Sequence, residues 1–218
     1  MLRGVQFGEF NTATDWDLIL NSINIADPKP KTNYVSVPGR SGDLDLTEGL
    51  TGEVEYENRG ASFTFLLTNG SHLDREELIG TITNLMHGRK FTCIIPDKSE
   101  YYLSGRWSVS ESKNDKAYGS ITLEGNCDPW FYANNETIKA YTLTGAKQDI
   151  ILANKGVKTL IPEITVTGSV KLTYGDISEA LSDGTYKLVN LKIKRGGISL
   201  SVEGTGTVTF TYREAVLR

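Results

Sequence analysis

Asp43 and Asp45 stand two residues apart in the stretch Tyr34–Gly49, YVSVPGRSGDLDLTEG. In an extended chain that spacing puts both carboxylates on one face, where a pair can do acid–base work if its surroundings split the two pKa values. No partner base, metal-ligand set or catalytic motif accompanies them. The pair therefore reads as the solvated face of an extended segment whose other face carries Leu44 and Leu46. DLDLTEG also approaches a calcium loop, but its glycine falls one place late and the closing bidentate Glu is missing. Glu53, Glu55 and Glu57 alternate with Val54 and Tyr56, a second charged face whose functional version is an acidic subunit contact.

The remaining reactive residue types are as sparsely supported. His72 and His87 have no second histidine at metal-ligand spacing, and the chain has no C-x-x-C. A G-x-S-x-G elbow is absent, so serine nucleophile chemistry has no footing. Gly204-Thr205-Gly206 precedes a strand pattern and lacks the helix N-terminus that phosphate binding needs, and the glycines of PGRSGD fail the same test. Cys93 and Cys127 read as reduced, buried structural thiols. The expectation is a non-enzyme with no catalytic residues, metal or cofactor.

Elements that could position these residues are mostly strands. The chain has 218 residues, 39% hydrophobic and 23% charged, with a net charge of −4. No basic tract supports nucleic-acid binding through counterion release. Apolar runs such as Ile150–Ala153 are too short to span a membrane, and MLRGVQFGEF carries no apolar core of a secretory signal. Strands are predicted around Gly4–Phe7, at Trp16–Leu20, at Tyr34–Val37 stopped by Pro38-Gly39, and at Phe63–Phe65. Ser71–His87 predicts the one helix, with Ser71 as N-cap, acidic first turns, an apolar stripe of Leu78, Ile82, Leu85 and Met86, and Gly88 as the C′ glycine. Phe91–Ile95 is a further strand, Tyr101–Ser110 and Lys116–Glu124 form a hairpin around a polar turn, and Cys127–Ala133 closes the first half.

From there on the chain shows only short strands and turns, the pattern of a sandwich. Leu191 and Ile193 alternate with lysines, Gly196-Gly197 supplies a hairpin turn, and Ile198, Leu200 and Val202 return. Val208, Phe210 and Tyr212 repeat the inward pattern, with Thr207, Thr209 and Thr211 outward. The fold expected is mainly β: residues 1–133 a β-sandwich or split-barrel domain with one helix, residues 134–218 a second β-sandwich.

In this order the motifs resemble the distal tail protein (Dit) family of phages with long, non-contractile tails. VPGRSGDLDLT (Val37–Thr47) is similar to that family's P-G-R-x-G-x-L-x-x-T element, YYLSGRWSVS (Tyr101–Ser110) to its Y-x-G-R strand, and CDPWFYA (Cys127–Ala133) to its C-x-P-aromatic closing strand. LANKGVKTLIPEITVTGS (Leu152–Ser169) resembles the opening of the family's C-terminal domain, and Asp183–Tyr212 its closing hairpins.

The resemblance implies a structural hub. In the family, N-terminal domains form a hexameric ring at the end of the tail tube and a galectin-like C-terminal domain projects outward. The partners implied are the chain itself, the tail tube protein, the tail-tip protein or tail-associated lysin, and receptor-binding proteins. No membrane or sequence-specific nucleic acid is among them. The place implied is the virion tail tip, with assembly in the bacterial cytoplasm. PGRSGD then becomes a turn that launches an arm, about Arg40–Asn58, towards a neighbouring subunit, and Arg40, Asp43, Leu44, Asp45, Leu46, Leu50, Val54 and Tyr56 are the candidate interface residues. Arg40 could form a bidentate contact with a carboxylate there or remain a free surface arginine. The alternative function is a carbohydrate-binding adhesion module in the second half, although residues 137–218 contain neither His nor Trp. A glycosidase would need two carboxylates at a catalytic separation in one cleft.

Overall fold

The computed structural model describes residues 4–218. The chain is mainly β, with two compact units of the β-sandwich type: Met1–Phe131 together with Leu217–Arg218, and Tyr132–Val216.

The first unit contains β1 (Gln6–Phe7), β2 (Phe10–Asn11), β3 (Ile19–Ile25), β4 (Tyr34–Val35), β5 (Leu44–Asp45), β6 (Arg59–Leu67), α1 (His72–Met86), β7 (Arg89–Ile94), β8 (Tyr101–Asn114) and β9 (Gly119–Cys127). Its main sheet runs β2-β1-β7-β8-β9-β6-β3 with every pairing antiparallel, while β4 and β5 pair only with each other. Alternate residues of β6 and β9 face the core, as a period of two requires. Phe7, Phe63 and Trp107 meet at its centre, with ring centroids 4.9 to 5.8 Å apart. Edge-to-face contacts of this kind add about 0.5–1.5 kcal/mol each beyond the area buried. Trp107 stands opposite Gly125 on β9, and a Cβ at Gly125 would lie 2.6 Å from the indole ring.

Helix α1 is capped as the sequence predicts. Ser71 Oγ accepts from the Asp74 N–H, Asp74 accepts from the Ser71 N–H, and Gly88 follows the helix at φ +74°. Its buried face is turned by one residue from the expected stripe. Arg75, Ile79, Ile82 and Met86 are inside, while Leu78 and Leu85 are half-buried flanks. Arg75 belongs there because its guanidinium donates to the nearby Gly70 O and to Asn114 Oδ1 and Asp115 O, two partners distant in sequence. Two other expectations change. Trp16 and Leu18 are buried but precede β3, separated by Asp17 at φ +50°. The polar segment Glu111–Asn114 is not a turn: it extends β8 past a bulge at Ser110, and the chain reverses at Asp115–Tyr118.

The boundary strand β10 (Phe131–Ala133) leads to β11 (Thr137–Thr144), β12 (Gln148–Leu152), β13 (Glu163–Tyr174), β14 (Ile177–Leu181), β15 (Gly184–Tyr186), β16 (Ile198–Tyr212) and β17 (Ala215–Val216). The order is β11-β16-β13-β14, with β12 also on β16 and β15 on β13. Leu200, Val202, Val208, Phe210 and Tyr212 all enter one core with Ile164, Val166 and Leu172.

The expected hairpin through Gly196-Gly197 is not formed. Leu191 and Ile193 are buried, but their segment makes one bridge, Ile193 to Leu160, and β16 pairs elsewhere. Gly204-Thr205-Gly206 lies within β16 rather than before a strand. Val170, Ser169 and Gly168 of β13 face these three residues in turn. A Cβ at Gly206 would sit 1.9 Å from Thr167 O, and Gly206 has φ +112°. Glycine alone fits that approach and that backbone region.

Gly206→Ala should therefore prevent the second unit from reaching its native packing, read as loss of dispersed amide resonances for residues 132–216 while those of the first unit persist. Burial pushes the Cys127 thiol up to about 12, with Asp128 adding to the rise and Arg59 opposing it. An unfolded thiol ionises near 8.5. Between these values the unfolded chain has lost a proton that the fold keeps, so this contribution is complete below about pH 8.5 and declines towards pH 12. Urea midpoints should fall more steeply over that window in the native sequence than in Cys127→Ala.

Candidate assembly interface

Strand β3 is an edge of the main sheet, and the chain continues from it into a ribbon. The β3–β6 register, Ile25 opposite Ala61, runs on without a slip to Pro30 opposite Tyr56. Ala26 N–H donates to Gly60 O, Glu57 N–H to Lys29 O, and Lys31 N–H to Glu55 O, all at 2.8–2.9 Å. Beyond that point the register changes. A continuous ladder would place residue 52 opposite Tyr34, but Asp45 stands there. The seven residues gained form a loop from Leu46 onward, turned by Gly49 N–H on Leu46 O and Gly52 N–H on Glu48 O. The ribbon ends in the Pro38–Gly42 turn, where Gly39 and Gly42 have φ +84° and +76°.

The arm expected over Arg40–Asn58 is thus the turn and the returning strand of a two-stranded ribbon rooted at Ala26 and Gly60. Its candidate residues are placed unequally. Arg40, Asp43, Asp45 and Leu46 are exposed, and Leu50 at the loop tip is 98% exposed. Leu44 and Val54 are half-buried within the arm. Tyr56 packs edge-on against Trp130 at 5.4 Å, which ties the root of the ribbon to its own unit. Asp43 and Asp45 do not act as a pair. Asp45 accepts from the Thr47 N–H at 2.9 Å, and bonds from the Thr47 side chain and then its backbone hold the carboxyl below the usual range.

Sequence reasoning passed over Tyr34, Val35 and Val37, taken as an ordinary strand. All three are exposed, Tyr34 by 59%. The signal was their neighbourhood, because a strand flanked by Lys-rich and Gly-Pro segments has little to pack against. Residues 27–58 carry seven carboxylates against three cations, so the arm alone accounts for the net −4 of the whole chain. The ribbon is thus acidic and carries exposed apolar side chains, a combination common in interaction surfaces. Among the described residues no group of three or more His, Cys, Asp or Glu could hold a metal ion.

No protein-family model and no curated protein matches the sequence. Among solved structures, the SPP1 Dit protein, a hub of the adsorption apparatus in phages infecting Gram-positive bacteria, superposes with a TM-score of 0.70 at 12% identity. The match covers 98% of this chain and 99% of that one. The chain has the Dit fold. A component of the phage p2 baseplate aligns over 99% of this chain and 98% of its own at 8% identity and a TM-score of 0.46. One from the tail of an empty GTA particle aligns over 49% and 76% at 18% identity and 0.28. The SPP1 Dit match spans both units.

Trypsin should cut the isolated Dit-fold protein first in the arm, at Arg40, because the Pro38–Gly42 turn is open on all sides. Mass spectrometry of early digests checks this, and early cleavage within 137–218 instead would contradict it.

Proposed function

We propose that this protein is a structural subunit of a phage tail: a hub that closes into a ring, six copies by resemblance, and joins the tail tube to the tail-tip or baseplate proteins. The observation that carries the proposal is the match to the SPP1 Dit hub over both units. The exposed acidic ribbon supports it, because a ring is a heterologous interface and needs a part of each copy that reaches forward to the next. On this reading Arg40, Asp43, Leu44, Asp45, Leu46, Leu50 and Val54 meet a neighbouring subunit, and Tyr56 anchors the arm that presents them. The N-terminal domain, about residues 1–133, forms the ring, and the C-terminal domain projects from it. The protein acts at the virion tail tip after assembly in the bacterial cytoplasm. Its partners are the tail tube protein, the tail-tip protein or lysin, and receptor-binding proteins, and its role is architectural rather than enzymatic. No observation favours glycan binding: the large apolar side chains exposed on the second unit, such as Ile138, Ile151 and Val189, are aliphatic and offer no sugar-stacking face.

Negative-stain electron microscopy of the concentrated protein tests the ring. Open-centred rings are expected. The Lys31–Glu55 hydrogen bond brings the two sides of the ribbon together, so a short Asn-Gly turn can replace residues 32–54. That variant should keep its circular dichroism spectrum and form no rings. Intact rings in the shortened variant would overturn the role given to the arm.

A further inference from the structure

At the root of the ribbon lies a cavity of about 240 Å³. Ile23 and Ile25 of β3 and the ring of Phe131 form its apolar walls, and Arg59, Lys98 and Arg218 bring three cations to it against the single carboxylate of Asp27. Arg59 is the built part. Only 2% of the residue is exposed, its Nη2 donates to the carbonyls of Pro129 and Leu217, and its Nε has no partner among the described residues. The Phe131 ring lies within 4.8 Å of the Arg59 guanidinium and 4.4 Å of Lys98 Nζ. Arg218 pairs with Asp27 at 3.2 Å, an exposed pair. Burial, then the charges of Arg218 and Arg59, lower the Lys98 pKa, and Asp27 opposes them only in part. Positive charge is thus gathered beside apolar walls in excess of what the unit itself neutralises, which is a site for an anion carried next to an apolar group.

The same chain carries that combination further along the ribbon, in the loop that leaves it between the Lys31–Glu55 contact and the Tyr34–Asp45 pair. Leu50 projects from the loop tip with Glu48 two residues before it. It cannot fold back into its own pocket. The ladder from Ala26 to Lys31 alone spans roughly 16 Å at about 3.3 Å per residue, and the loop lies beyond it. We infer that the pocket receives the 46–52 loop of a second copy, with Leu50 between Ile23, Ile25 and Phe131 and the Glu48 carboxylate meeting Lys98 and Arg59. Knob and pocket at separate places on one protomer make a head-to-tail contact, which is the geometry that a closed ring repeats. The inference rests on the ring reading for its closure but not for the contact itself.

Disulfide trapping separates the two. Cys93 and Cys127 are buried and give no background. Full-length Leu50→Cys protein is mixed with full-length Ile23→Cys protein, oxidised at high concentration and run on a non-reducing gel, with folding of each variant checked by circular dichroism. A heterodimer at least tenfold above the background of either variant alone is expected. It should vanish when Lys98→Glu is added to the Ile23→Cys copy and return when Glu48→Lys is added to the Leu50→Cys copy. Rings without the cross-link would overturn the pocket and leave the ring. The cross-link without rings would leave the pocket and overturn the ring. Absence of both would overturn both, as would an unchanged cross-link in Lys98→Glu for the charge contact.

Discussion

One antiparallel pairing, β3 against β6, holds the first unit and its arm together. Inside the unit it places Phe63 and Phe65 in the aromatic core; outside, the same register carries on to Lys31 and Glu55. A ribbon that continues a sheet inherits its direction, held here by the bonds of Ala26, Lys31 and Glu57 across the ribbon. A loop of the same length with no ladder would be costly to order on binding. Here the cost is met in the isolated chain, so the arm can present Leu50 and its carboxylates at a fixed reach.

Charge follows the same division. The bodies of the two units are close to neutral, while the arm is acidic and its root holds buried and half-buried cations. On the proposed reading, such a charge division favours head-to-tail contacts over the symmetric pairing of two acidic arms. The helix, the thiols and the aromatic cluster take no part in this. They keep the sheet rigid, and the high thiol pKa values express the depth of that packing rather than any reactivity.

The second unit is organised by a different constraint, the close approach of β13 and β16 at Gly168, Gly204 and Gly206. It lets a single fifteen-residue strand serve β12 along its first part and β11 along its second. Both halves of the core then share one backbone.

Much of this was legible in the sequence because it depends on local chemistry. The Ser71 cap, Gly88 after the helix, the alternation of β16 and the turn at Pro38–Gly42 are set by residues within a few positions of each other, and the order of such motifs was enough to suggest the Dit fold. What the sequence left open depends on partners far along the chain. Arg75 reads as a surface helix residue until Asn114 and Asp115 arrive beside it. Leu191 and Ile193 alternate like a strand, but no neighbour offers them a ladder. Gly204-Thr205-Gly206 reads as the approach to a strand until Thr167 O is found against it inside β16. The arm shows the division most clearly: its composition announced an exposed, acidic segment, whereas its root at Ala26, its register and its distance from the Arg59 pocket followed only from the pairing of β3 with β6. Hydrogen bonds between segments thirty residues apart decide where a ribbon points, and no pattern within either segment records them.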